Sequence, residues 1–484
     1  MRAARFSLLA SLSLLAVACQ QAEESPAEVA EVAGPTEQAA VENALLPAVV
    51  FTGEEITLTS LRERMEQLGI PAVSIAVMQD GNLLWAEAYG DGMDPGTRFQ
   101  AASMSKVVAS VGIATIAAEV GTSLDEDISS VLEGLDMAQV NPEGVPITLR
   151  ALLSHTNGAT VGGFPGYKVG TDIPSTVEVI MGIGPTNTDP VVINPNPEGN
   201  FRYSGGGFTI AQLWAEIVTG EPFDVLMDRY VLRPIGMEAS TFAMRTPDEL
   251  DNAAKAHVVT GEPIEGGWHL YPEMAAASLW TTPTDYLKFV RALDIALEGG
   301  DRGINPAVAS EVATPVSDGY GLGLGVDRSE GELIVGHSGG NEGFRCRMGG
   351  FIDRGDAIVV MTNASPGSAL VADVLRTSHS VYGWPGREPR EVTRVATSEE
   401  ELQALTGSFA FEGETDPLFV ITVDDQDLKI EVNDGGIFRL VKIGENVFVD
   451  PEDAEDATFA AAEDGTLTVS TGGNTFVRLS ELGE

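Results

Sequence analysis

Leu58, Leu61, Met65 and Leu68 recur at helical spacing, and Gly69-Ile70-Pro71 ends the run, so a helix is expected over 58–68. Val73, Ile75 and Val77 then alternate, Asp80-Gly81 supplies a hairpin turn, and an apolar and aromatic return over 83–89 completes a strand pair. Residues 107–120 are nearly all small or apolar, which predicts a helix buried on every side. Further helices are expected over 149–153, 209–218, 223–232 and 283–297, and strands over 333–335, 344–352 and 357–362. Strands at both ends with helices between them predict one sheet built from N- and C-terminal parts, with a helical region inserted in the middle: a mixed α/β (α+β) domain over 51–390.

Beyond Arg390 the period changes. A short helix over 399–405 is followed by alternating runs at 419–423, 428–432, 438–443, 447–449, 457–461, 467–469 and 475–479, separated by turn-forming residues. Their spacing predicts a small antiparallel β-barrel as a separate domain over 391–484. Phe419, Ile421 and Val423, then Leu428, Ile430 and Val432, supply its inward face.

The first residues read differently. Arg2 and Arg5 precede an apolar run over 6–18, too short to span a bilayer, and Leu15-Ala16-Val17-Ala18-Cys19 ends it with small residues. The segment resembles a bacterial lipoprotein signal, with 1–18 removed and Cys19 lipidated; Gln20 after the cysteine fits outer-membrane sorting. The expected location is the periplasmic face of a bacterial membrane. Residues 19–50 are rich in Glu, Ala and Pro, poor in aromatic side chains and, up to Pro47, free of Lys and Arg, which predicts an acidic disordered tether.

Of 484 residues, 43% are hydrophobic, enough for a sizeable core. Lys and Arg total 28 against 72 Asp and Glu, a formal net charge of -44, which repels phosphate backbones and argues against nucleic-acid partners. With Cys19 acylated, Cys346 has no partner for a disulfide, and it reads as a buried packing residue. His257, His269 and His379 show no ligand spacing, and neither HExxH nor a Cys cluster occurs, so neither a metal nor another cofactor is expected.

The chemistry begins at Ser103-Met104-Ser105-Lys106, at the start of the buried helix. Ser103 and Lys106 are three apart and share a helix face, with the serine at the positive end of the dipole. A lysine of unperturbed pKa near ~10.4 needs burial before it can act as a base at neutral pH, and the apolar helix offers it. Two further motifs follow: Tyr203-Ser204-Gly205 in a glycine-rich turn and His337-Ser338-Gly339-Gly340 after an apolar strand.

In that order the three motifs resemble those of the penicillin-recognising serine hydrolases: class C β-lactamases, D-alanyl-D-alanine carboxypeptidases, D-aminopeptidases and the carboxylesterases built like β-lactamases. The resemblance runs from about residue 55 to 390, supported by 147–158, Pro234-Ile235-Gly236-Met237 and Trp280-Thr281-Thr282-Pro283. It implies a β-lactamase/transpeptidase-like domain with an antiparallel sheet flanked by helices, and it likens the C-terminal domain to the lipocalin-like barrels of several relatives. It further implies Ser103 as nucleophile, Lys106 and Tyr203 as proton-transfer groups, and His337 as a residue that positions them. Backbone N–H groups of Ser103 and Gly340 would form the oxyanion hole, with Ser338 and Gly339 beside the substrate. Relatives acting on peptides or β-lactams often carry Asn where Gly205 stands, which favours an esterase or D-aminopeptidase type over a β-lactamase or D,D-carboxypeptidase. A non-catalytic binding or regulatory protein on the same scaffold is the alternative of another class. The expected partner is a small-molecule or short-peptide substrate, with the membrane reached through the lipid anchor.

His155 reads as a structural turn histidine. Arg345 and Arg347 share one strand face, with two readings: a solvated surface or a hold on a substrate carboxylate. The aromatic loops 164–167 and 268–271 either line a cleft or anchor loops.

Overall fold

The computed structural model describes residues 36–479 apart from positions 133, 260, 318, 330, 434, 435 and 463. The signal segment, Cys19 and residues 20–35 lie outside the described residues. Helix α1 (Thr36–Asn43) is followed by α2 (Leu61–Leu68), the hairpin β1 (Val73–Gln79) and β2 (Asn82–Tyr89), and α3 (Ser105–Val120). Next come α4 (Gly205–Thr219), α5 (Pro283–Leu297), β3 (Gly325–Asp327), β4 (Ile334–Asn341), β5 (Phe344–Phe351), β6 (Asp356–Thr362) and α6 (Gly367–Tyr382), with shorter helices between.

The six strands form one antiparallel sheet in the order β2-β1-β6-β5-β4-β3. Both faces are covered, and alternation along the strands decides which side chain enters which layer. Ala76, Met78, Val359 and Met361 join the large core around α3 and α5, whereas Val73, Ile75, Val77, Ile358 and Val360 join a second core under α1, α2 and α6. The β1–β2 turn takes the conformation its sequence predicts, with Asp80 at φ 48° and Gly81 at φ 72°. α2 starts three residues later than the periodicity suggests, because Ser60 and Glu63 close a capping box that sets the first turn at Leu61.

The disordered tether expected over 19–50 is corrected for its second half. Val41 and Leu45 are buried against the sheet's outer core, the Thr377 hydroxyl accepts the Leu46 N–H at 2.9 Å, and Arg376 donates to the Leu46 carbonyl at 2.9 Å. Val49–Phe51 then pairs in parallel with Arg390–Val392. A few apolar residues suffice here because α6 presents a ready surface.

The C-terminal strands close into an eight-stranded antiparallel barrel in sequential order. Its eighth member, Gly407–Ala410, is absent from the sequence-based set and shuts the barrel against Asn474–Arg478. Phe409, Phe419, Ile421, Leu428, Ile430, Leu440, Phe448, Phe459 and Val469 fill the interior, as the alternation at 419–432 predicts. Ala48 and Val49 pack on Val441 and Val449, tying the barrel to the paired strands.

Candidate active site

Ser103 stands in a single 3-10 turn, Ala102–Met104, that runs directly into α3. Ala102 has φ 48°, a left-handed conformation that a residue with a Cβ adopts only when its surroundings impose it. The surroundings are explicit. Ala101 exchanges backbone hydrogen bonds with Leu279 and Met104, the Ser105 hydroxyl accepts from the Leu279 N–H at 3.0 Å, and the Tyr286 hydroxyl donates to the Met104 carbonyl at 2.9 Å. β4 lies on this turn at Gly339, where a Cβ would come 2.6 Å from the Cys346 Sγ and 3.1 Å from the Ala102 Cβ and would overlap the Ala101 carbonyl. Cys346 is the buried packing residue expected, its thiol donating to the Ala101 carbonyl at 3.0 Å.

Lys106 is 2% exposed, and its Nζ donates to the Ser103 Oγ at 3.1 Å and to the Ala276 carbonyl at 2.8 Å. It forms no ion pair among the described residues, and its nearest ring is Tyr203, whose centroid is 5.1 Å from Nζ. Tyr203 precedes α4, which Ser204 caps: its hydroxyl accepts the Gly207 N–H at 3.0 Å and donates to the Thr160 carbonyl at 2.8 Å. The glycines that follow are steric necessities. A Cβ on Gly205 would come 2.7 Å from the Phe164 ring, so that ring occupies the space an Asn side chain would need.

His155 holds the loop that carries Tyr203. It sits at φ 61°, its carbonyl accepts the Arg202 N–H at 2.8 Å, and its Nδ1 accepts the Ser204 N–H at 3.0 Å. Burial, aided by the charge of Lys106, pushes its pKa down to about 2, so the ring is neutral and structural, packed against Tyr203 at 4.3 Å between centroids with the planes tilted by 34°.

His337 is likewise neutral, pushed down to about 3 by burial and then by Lys106. Its Nδ1–H is given to the Ser338 carbonyl, so its Nε2 must accept, and the donor at 2.7 Å is the hydroxyl of Tyr320. Burial holds the Tyr320 phenol well above its ordinary range, which keeps it a donor. Tyr320 is the residue that reasoning from sequence missed. Its flanking Gly319 and Gly321 were a usable signal, and Gly323 seats this loop on the Lys106 turn, where a Cβ would come 2.6 Å from the Lys106 carbonyl.

One cavity of about 980 Å³ unites the set: Ser103, Tyr203, Tyr320, His337, Ser338 and Gly340 line it, together with Arg347 and Arg387. Gly339 lies beneath, against the nucleophile turn. β3 pairs only with residues 334–336, so β4 from His337 to Asn341 is an open sheet edge beside Ser103. Phe164, Trp268 and Tyr271 do not line this cavity. They act as anchors, with Trp268 and Tyr271 each 1% exposed and the Tyr271 hydroxyl accepting the Glu342 N–H at 3.0 Å. Among the described residues, no group of three or more His, Cys, Asp or Glu side chains is placed to hold a metal ion.

Comparison with known proteins agrees with this architecture. The chain is 22% identical to penicillin-binding protein 4* of Bacillus subtilis (strain 168) over 74% of this chain and 83% of that protein. It is 23% identical to Protein flp of Staphylococcus aureus (strain MRSA252) over 47% of this chain, a match that spans only 45% of the relative's length. Among solved structures it resembles the octameric penicillin-binding protein homologue from Pyrococcus abyssi, with a TM-score of 0.57 and 19% identity over 86% of this chain and 98% of that one. It also resembles the D-amino acid amidase from Ochrobactrum anthropi SV3, with a TM-score of 0.53 and 21% identity over 67% and 98%. These likenesses establish the fold, a β-lactamase-like domain with a C-terminal antiparallel barrel. The Beta-lactamase family description matches residues 59–380, two thirds of the chain, including Ser103, Lys106, Tyr203, Tyr320 and His337, and on that match the chain belongs to the beta-lactamase family of serine hydrolases.

Proposed function

We propose that the protein is a lipid-anchored periplasmic hydrolase that opens an ester or amide through an acyl-enzyme on Ser103, of esterase or D-amino-acid peptidase type. The observation that carries the reading is the buried Lys106 amine, 3.1 Å from the Ser103 Oγ and held by a carbonyl instead of a carboxylate. A counter-ion would fix the amine as a spectator cation; a carbonyl only orients it. Ser103 Oγ attacks the substrate carbonyl as its proton passes to Lys106, with Tyr203 relaying that proton to the leaving group. The backbone N–H groups of Ser103 and Gly340 receive the developing oxyanion, a donor worth about 3 kcal/mol of transition-state stabilisation. Water then repeats the sequence on the acyl-enzyme. His337, saturated by Tyr320 and Ser338, orients this assembly and does not exchange the proton.

The amide arm draws support from the fold shared with D-amino acid amidases. A β-lactamase or D,D-carboxypeptidase reading is disfavoured by Phe164, which fills the place beside Gly205. A fluorophosphonate probe tests the mechanism. Labelling of the wild type, lost in Ser103→Ala, is expected, and Lys106→Ala and Tyr203→Phe should each remove most turnover of p-nitrophenyl esters while the protein stays folded. Absence of labelling would favour a binding protein on this scaffold. The anchor has its own test: Cys19→Ser should move the protein from the membrane to the soluble fraction, and continued membrane association would refute lipidation.

A further inference from the structure

The single helical turn Met274–Ala277 is tied to all three motifs that meet at Ser103. The Ala276 carbonyl accepts from the Lys106 Nζ at 2.8 Å, and the Ala277 carbonyl accepts from the Asn341 amide, at the end of β4, at 3.0 Å. The Ala275 N–H is given to the Gln212 amide oxygen of α4 at 3.0 Å, and the same Gln212 donates to the Pro272 carbonyl just before the turn. A shift of this turn therefore reaches the lysine, the helix that follows Tyr203 and the strand that carries Gly340 at once.

Glu273 heads the turn. Its carbonyl accepts the N–H groups of Ala276 and Ala277 at 3.0 Å each, but its side chain caps nothing. That side chain is 0% exposed, and neither carboxyl oxygen has a hydrogen-bond partner among the described residues. The helices packed on the turn, α3, α4 and Phe223–Met227, carry one cation between them, Lys106, which is committed to Ser103 and Ala276. Their acids are Glu119, which is exposed, Glu216, which faces Gln212 and Thr176, and Asp224. The charge of Glu273 acts on two phenols, Tyr167 and Tyr271, yet their hydroxyls are paired with the Thr186 hydroxyl and the Glu342 N–H. Arg345, beside Tyr271, gives its guanidinium to the Asn341 and Phe344 carbonyls. Burial without a donor or a counter-ion pushes the Glu273 carboxyl up from 4.5 to about 8, so it is uncharged at neutral pH. Ionisation above that point puts a bare charge at the root of the turn, and it is relieved only by moving the turn towards water or a donor.

We infer that Glu273 is a positioning residue for acyl transfer: uncharged, it lets the turn hold Lys106 against Ser103, and its ionisation shifts the turn and withdraws the amine. This deepens the hydrolase reading above and rests on it. The consequence is an alkaline limit on turnover that originates outside the groups touching the substrate.

The test measures kcat and KM for p-nitrophenyl butyrate at about pH 7 and about pH 9.5 in the wild type and Glu273→Gln, with the uncatalysed rate subtracted. The quantity compared is kcat at the higher pH relative to the lower within each protein, which cancels any general loss of activity. The wild type should lose about tenfold or more of its kcat, reversibly, with little change in KM and unchanged circular dichroism, whereas Glu273→Gln should hold its kcat within about twofold. An alkaline loss of equal size in both proteins overturns the inference, as does no loss in the wild type or a loss that tracks unfolding. Magnetic resonance of alanine-labelled wild type follows the N–H groups of Ala275, Ala276 and Ala277 with no substrate present. Signals that move with a midpoint near 8 uphold the switch even where no ester is turned over, and then the hydrolase reading alone falls. Signals that stay in place over the same range overturn it.

Discussion

Gly339→Ala tests whether the close seating of β4 on the nucleophile turn is what aligns the site. The glycine has ordinary backbone angles, so the substitution acts through volume alone. The added methyl carbon would start 2.6 Å from the Cys346 sulfur, with the Ala101 carbonyl closer still. Ordinary contact needs roughly 3.5 to 4 Å, so strand and turn must part by about 1 Å. Neither neighbour can yield cheaply, because the Ala101 carbonyl is backbone and Cys346 is packed beneath it. Overpacking of this kind costs about 1 to 3 kcal/mol of stability. The larger effect is expected on rate, since a displacement of about 1 Å between Ser103 and Gly340 at the oxyanion costs on the order of 100-fold. The assay is kcat/KM on a p-nitrophenyl ester beside urea unfolding, with Gly163→Ala as control, where a Cβ meets nothing within 4 Å. Adding Cys346→Ala should restore part of the loss by removing the sulfur and leaving the carbonyl. A folded Gly339→Ala protein with near wild-type kcat/KM would refute the reasoning.

Tyr320→Phe strips the buried His337 Nε2 of the one donor it has among the described residues and should lower kcat about tenfold with little change in KM; an unchanged kcat would mean that His337 needs no fixing. Glu273, buried with both carboxylate oxygens lacking a hydrogen-bond partner among the described residues, has its pKa raised from 4.5 to about 8 by burial. The folded state therefore holds a proton that the unfolded state has released, and this contribution to stability is complete below pH 4.5 and is lost as pH rises through 8. Glu273→Gln should flatten that decline in urea titrations across pH. His155 and His337, lowered from 6.5, act with the opposite sign: their stability is complete above pH 6.5 and drains away as pH falls towards their folded values. Finally, a chain ending at Thr397 keeps the pairing of Val49–Phe51 with Arg390–Val392 and should still be labelled at Ser103, because no barrel residue lines the cavity. A truncated protein folded by circular dichroism yet unlabelled would show that the barrel contributes to the site.

What the sequence disclosed was whatever depends on local period and turn chemistry. The β1–β2 hairpin, the all-round apolar α3, α5 and seven of the eight barrel strands follow from alternation, helical spacing and residues such as Asp80-Gly81. The serine, lysine, tyrosine and histidine motifs were visible because each is short and contiguous, and the fold brings them to one cavity. α6 escaped because half of its buried residues are polar: Asp373, Arg376, Thr377, Ser378 and His379 are covered beside Leu370, Val371, Val374 and Leu375, and their acceptability depends on distant partners such as Arg64 and the Leu46 carbonyl. α1 escaped because Val41 is its sole buried side chain, and one residue has no period. Tyr320 owes its role to a hydrogen bond with His337 that no contiguous motif announces, and Arg387 reaches the cavity that Arg347 lines only because the chain returns there after α6.

The strand order has a consequence for how the chain acquires its structure. β1 finds its second neighbour only in β6, with Val73 opposite Thr362, so the N-terminal hairpin must wait with one long apolar edge unpaired. More than half of the chain separates the two strands, so closure of that long loop has to precede the pairing. Until then, Val73, Ile75 and Val77 present a strand edge to any other chain. Substitutions that lengthen this wait or make the edge stickier will be felt as lost yield of folded protein, even where the finished molecule is as stable as before.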